Sequence, residues 1–264
     1  MSDTYAQVMR PIEGRGDRRA ARSRAPRRSA EPGSAAGTSA PRGIDGSAPG
    51  SAPGAAGSPA EATFAAAAAA FTAGVDAQRR PDLLLEDVPA PKRLAPYAAA
   101  VAATVQRDDA DVAWGRLVLL YDPAGQQGWD GSFRLVAYVH ADVEPEIAAD
   151  PLLGEVGWSW LAEALDANVP GYAQPSGTVT RVITEGFGAK QDDVPLTGFE
   201  LRASWSPAWP SGPAGPEGPP GPAGHSDLDT LDLSAHIAAW CDCLSAAAGL
   251  EPPGTRALRP PGPG

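Results

Sequence analysis

The sequence predicts one α+β domain, a two-layer arrangement of a mainly antiparallel five-stranded sheet with helices on one face. Three observations carry that expectation. Phe133, Leu135, Ala137 and Val139 alternate with Arg134, Val136, Tyr138 and His140, the period of a strand with two distinct faces. Residues 150–167 and 232–248 instead repeat apolar side chains every three to four positions, as amphipathic helices do. The links between strand-like runs are short and carry turn chemistry such as Asp122-Pro123-Ala124-Gly125, which favours antiparallel hairpins.

The elements follow in order. Ala62–Ala73 has the highest helix propensity in the chain, Phe64 and Phe71 share a face, and Gly74 is expected to end the helix. Leu83-Leu84-Leu85 suits a short extended segment before the Pro89–Pro91 stretch. Tyr97, Ala99, Val101, Ala103 and Val105 alternate as in a strand, although so many alanines also fit a helix. Arg116–Tyr121 is apolar on both faces and reads as a central strand. Asp150 is an N-cap with Pro151 at the first helical position, and that helix is expected to run to Ala167 with a wide apolar arc, hence deep packing. Two strands, Thr178–Phe187 and Phe199–Trp205, come next; Phe199, Leu201, Ala203 and Trp205 oppose Glu200, Arg202 and Ser204. The last helix begins near Asp229 or Asp232 and buries a stripe through Leu233, Ile237, Trp240, Cys241 and Leu244. Gly249 then supplies a left-handed stop, and Pro252-Pro253 prevents continuation. The resulting α-βββ-α-ββ-α order resembles that of the type III secretion chaperone-like fold.

Composition bounds the folded part. Gly 30 and Pro 29 among 264 residues are roughly twice the usual share, and they concentrate in two places. Residues 1–60 are expected to be a disordered basic tail, with Arg18, Arg19, Arg22, Arg24, Arg27 and Arg28 clustered. The glycines at 212, 215, 218, 221 and 224 recur every third residue, too few triplets for a collagen helix, so 211–226 reads as a flexible insert in a domain spanning 61–253. Residues 254–264 read as a second disordered tail. Nine Arg and five acids in residues 1–60 leave 12 basic and 27 acidic residues beyond. That acidic body repels nucleic acid and anionic membranes, so nucleic acid is expected to engage only the tail. Two cysteines and no apolar leader point to a reducing cytoplasm, and no membrane association is expected.

The search for chemistry mostly excludes it. Cys241 and Cys243 lie two apart on a helix, about 200° around its axis, so they cannot clamp one metal, and Cys241 falls on the buried stripe. His140, His225 and His236 have no metal-ligand spacing, and His236 reads as packing. No phosphate-binding glycine loop and no nucleophile elbow occur. The acids of Asp142-Val143-Glu144-Pro145-Glu146 read as serving a helix N-terminus. No catalytic residue, metal or cofactor is expected. Arg134, Tyr138, His140, Glu200 and Arg202 all fall on polar-facing strand positions. With helices on the other face only, they form a mixed-charge platform able to bind a peptide or nucleotide; the competing reading is an ordinary solvated or dimer-covered face. Trp114, Trp129 and Trp209 are placed in or beside loops, where they suit either partner contact or a lid on the core.

Leu94–Tyr97, Gly115–Gly125, Phe133–Leu161, Ser176–Arg181, Glu200–Pro207 and Ala238–Leu244 together resemble the actinobacterial "domain of unknown function 3000" family over roughly residues 62–253. The long basic tail and the insert depart from the family pattern. The resemblance implies no activity and no site residues, and it implies a setting near a ribonuclease D-like protein. The function expected from the whole sequence is a non-enzymatic protein-binding or adaptor module, with self-association also open. The alternative is an RNA-processing accessory or enzyme using the polar sheet face.

Overall fold

A computed structural model describes residues 58–192, 196–207 and 231–250 of the chain. The basic cluster, the glycine–proline insert, Trp209, His225 and residues 254–264 all lie outside the described residues. Helix α1 spans Pro59–Ala77. It is followed by strands β1 (Leu83–Asp87), β2 (Tyr97–Arg107), β3 (Ala110–Tyr121) and β4 (Phe133–Asp142). A short helix α2 (Pro145–Ala149) and a longer α3 (Leu153–Asn168) lead to β5 (Tyr172–Thr184) and β6 (Leu196–Pro207), and α4 (Leu233–Ala247) completes the described elements. The fold is α+β with an open antiparallel sheet of six strands in the order β1-β2-β3-β4-β6-β5. The Leu83–Leu85 segment is the strand beyond the expected five.

Each neighbouring pair is antiparallel. β6 lies between β4 and β5, so β4 and β5 run parallel and the α2–α3 segment connects them. β2 turns into β3 at Asp108 and Asp109, both with positive φ, the two-residue hairpin geometry that matches strand twist. β1 and β5 are the edge strands, and among the described residues β5 pairs only with β6.

Odd-numbered residues of β2, β3, β4 and β6 face the helices. Val101, Val105, Leu117, Leu119, Leu135, Val139, Phe199, Leu201 and Trp205 are fully or almost fully buried there. The alternation read along β4 and β6 sets that register, because a one-residue slip would turn the whole apolar set outward. Trp205 and Trp240 are the bulkiest fully buried side chains.

Helix α4 is the keystone. It packs on β2, β3, β4 and β6 and is flanked by α1 and α3, so it is buried around most of its circumference, Cys243 included. The single stripe expected from its sequence underestimates this contact. Asp232 caps it through a bond from the Ala235 amide. Its far end closes at Gly249, φ +69°, where the Leu250 and Gly249 amides donate to Ser245 O and Ala246 O, the paired bonds of a Schellman stop.

Two helix boundaries differ from the sequence reading. Gly74 does not end α1; it marks the crossing with α4, where an added Cβ would come within 2.8 Å of Ile237 Cδ1. The helix therefore runs three residues further, and Ser58 opens it with a capping box to Glu61. The helix expected from Pro151 begins at Leu153 instead. Asp150 spends its carboxylate on the Leu152 amide at 2.8 Å, and residues 151–152 form a turn between α2 and α3. α3 is also less enclosed than its apolar arc suggested, since Val156 is exposed and Trp158 and Trp160 are only half-buried. Among the described residues no helix is long and apolar enough to cross a membrane.

Candidate functional site

Strand pairing assembles the outer face of the sheet in rows. Thr104, Trp114, His140, Glu200 and Thr180 stand side by side across five strands. The next row is Ala102, Arg116, Tyr138, Arg202 and Thr178, and the third is Ala100, Val118, Val136, Ser204 and Ser176. Only part of this face is covered by described residues. Val88, Ala90, Leu94 and Trp129 pack on Ala100, Val118, Leu120 and Val136 as a second, smaller apolar cluster. Trp129 is thus a lid, one of the two roles its sequence position allowed.

The first two rows carry a polar and aromatic patch beyond that lid. The Trp114 and Tyr138 rings are 4.8 Å apart and those of Trp114 and His140 5.5 Å apart. The Arg202 guanidinium lies 5.7 Å from the Tyr138 ring centre and is paired to Glu200 at 2.6 Å. Such a cation over an aromatic face gains from the ring quadrupole. Arg202 is about a third exposed and His140 and Glu200 about a fifth, while Thr178 and Thr180 stand open on the edge strand.

Burial and charge pairing set the electrostatics of the patch. Burial, with the Glu200 carboxylate beside it, pushes the Tyr138 phenol far above its ordinary value, against a weaker pull from Arg202. The phenol therefore stays protonated at neutral pH, and Glu200 is held by Arg202. Burial lowers the Arg116 guanidinium from its ordinary value, and Arg116 Nη2 donates to the Pro89 carbonyl. Arg116 Nε, His140 Nδ1 and Arg202 Nε are buried nitrogens with no partner among the described residues. Such groups normally find a partner, so three on one face are a notable excess. His140 Nε2 meets the Asp142 carboxylate at 3.4 Å.

Of the five residues singled out from the sequence, Tyr138, His140, Glu200 and Arg202 come together. Arg134 does not join them. It is buried, donating to Ser204 Oγ at 2.8 Å, the Ser204 carbonyl at 3.2 Å, and Ser176 Oγ and Ser206 Oγ at 3.3 Å. Its strand parity is right, but it sits two rows away, where the 126–132 loop closes down and the Asp130 amide bonds Ser206 Oγ. Arg134 therefore clamps β4, β5 and β6 together. Sequence reasoning placed Trp114 in or beside a loop and left Arg116 out of the platform. Starting β3 at Arg116 placed Trp114 in a loop, whereas the strand begins at Ala110. The small inward residues Ala113 and Gly115, alternating with Trp114 and Arg116, were the signal.

Elsewhere, burial pushes both the Cys241 and Cys243 thiols up to about 12, which makes them poor nucleophiles. Asp242 between them points out to Arg80 and Asn168. Buried His236 accepts a hydrogen bond at Nδ1 from Trp205 Nε1, 3.0 Å away. Glu144 occupies the N-cap position of α2 without a side-chain capping bond, and Glu146 lies in its first turn, so both acids stand at a helix N-terminus, where negative charge is favoured. Among the described residues no group of three or more His, Cys, Asp or Glu side chains could hold a metal ion.

Residues 60–256 match the family model described as a protein of unknown function, domain of unknown function 3000. No curated protein and no solved structure matches the chain.

Proposed function

Since the chain belongs to the domain of unknown function 3000 family, whose description assigns no activity, we propose from geometry that it is a non-enzymatic protein-binding module. Its contact surface is the uncovered part of the outer sheet face. The observation that carries this reading is the contrast across that face: one part is sealed by Leu94 and Trp129, while the part bearing the half-buried Trp114, His140, Glu200 and Arg202, with Tyr138 buried among them, has no such lid among the described residues. Rigid aromatic and arginine side chains of this kind supply most of the energy in protein interfaces. The exposed threonines of β5 continue the surface to an open sheet edge, where an extended segment can add main-chain hydrogen bonds.

The test is affinity capture with the intact chain and with two surface variants, Arg202→Glu and Thr180→Arg. A defined protein partner retained by the native chain and lost by both variants supports the reading. Capture unchanged by either variant counts against this face. Salt-sensitive RNA binding that survives removal of residues 1–57 and disappears in Arg202→Glu would replace the reading with the RNA-linked alternative.

A further inference from the structure

On the helix side of the sheet, away from the outer face, α2, the start of α3 and the end of α4 enclose a groove of about 360 Å³. Three large apolar side chains on its walls are unusually open, with Ile147 44%, Leu152 56% and Val156 43% exposed. Apolar surface left this bare at a concave site gains from a cover. Glu144 and Asp150 add two acidic residues to the same lining. The cation among the lining residues, Arg107, already donates to the Ala248 carbonyl at 3.3 Å. The site therefore asks for a short segment that combines an apolar side chain with positive charge.

The chain carries such a segment, and it leaves from the groove itself. Gly249 is part of the lining. The sequence continues from Leu250 as Glu-Pro-Pro-Gly-Thr-Arg-Ala-Leu-Arg, where Leu258 is the one large apolar residue of 251–264 and stands between Arg256 and Arg259. These residues lie outside those described. Pro252 and Pro253 bias the chain towards extended conformations. The eight residues from Leu250 to Leu258 can span up to about 27 Å, more than a groove of this volume requires. Another copy's acidic body would be repelled by the carboxylates, whereas a tethered segment competes at an effective concentration on the order of millimolar.

We propose that this groove is a peptide-docking site occupied in cis by residues 256–259, with Leu258 on the Ile147–Leu152–Val156 wall and Arg256 and Arg259 against Glu144 and Asp150. The C-terminal segment is then a strap, and any partner segment of like chemistry must displace it.

A photo-crosslinking residue in place of Leu258 in the full chain tests the placement. Crosslinks within one molecule to peptides covering residues 145–157 support the proposal. Crosslinks to other regions, crosslinks only between molecules, or no crosslinks overturn it. Hydrogen exchange supplies the second readout. The Ile147–Val156 amides should exchange about tenfold faster in Leu258→Asp and in the double variant R256E/R259E, the factor for a 1.4 kcal/mol clamp. The β3 and β4 amides should be unchanged, and R256K/R259K should behave as the native chain. Equal exchange in all the variants overturns the strap.

Discussion

Replacing Arg134 would report on folding rather than on binding, because its buried guanidinium ties together three serine hydroxyls on β5 and β6. Arg202, paired to Glu200 and a third exposed, is the better probe of the outer face. A second buried polar contact has a measurable pH signature. Burial lowers His236 from an ordinary value of 6.5 to about 4, with Asp232 opposing weakly, and its Nδ1 must stay unprotonated to accept from Trp205. Between pH 6.5 and 4 the unfolded chain binds a proton that the folded chain refuses. Stability therefore falls as pH drops through that window, by on the order of 3 kcal/mol in total. In His236→Gln the amide oxygen can still accept from Trp205, so urea unfolding from pH 7 to pH 4 should show a distinctly shallower loss than the native chain. Neither the Trp205 contact nor the Arg134 clamp was legible in the sequence, since each joins residues far apart in the chain. The parity of β4 and β6 was, and it brought four of the five expected surface residues together.

The helices meet the sheet through small residues placed where bulk would collide. Gly157 of α3 faces the Phe199 ring, and a Cβ there would stand 2.2 Å from Phe199 Cε2. Alanine is intrinsically the better helix former by about 1 kcal/mol, yet overpacking a close contact costs about 1–3 kcal/mol. The collision is severe enough to decide the sign, so Gly157→Ala should lower the thermal midpoint despite the gain in propensity. Gly74, between α1 and α4, obeys the same logic. This explains the error in reading α1: a glycine after an alanine run is the usual mark of a helix end, and only the crossing helix reveals it as a packing notch. The misplaced starts of α3 and β3 have a similar origin. Asp150 does satisfy a nearby amide, but that of a turn, and Trp114 was assigned by its neighbours in sequence rather than across strands.

Every element of the described core lies between Ser58 and Leu250, and the family match begins at residue 60. A chain starting at Gly57, which retains the Ser58 cap, should therefore melt at the same temperature as the full protein, as scanning calorimetry would show. A fall in midpoint would mean that residues before Gly57 contribute to the fold. The sheet was readable because the core is built by strict alternation, with β1 recognised only as an extended segment because five residues give too short a pattern. The strand order was not, since nothing local states that β6 enters between β4 and β5. That α4 occupies the middle of the helical layer and comes last among the described elements has a consequence for biosynthesis. A ribosome that has released everything up to β6 has made a sheet whose apolar side lacks its central cover, and Trp240 and Ile237 still inside the exit tunnel cannot supply it. The nascent protein should accordingly depend on chaperone holding until α4 has been made and has left the tunnel, and premature termination anywhere before α4 should yield a product that proteases clear rather than a smaller working domain.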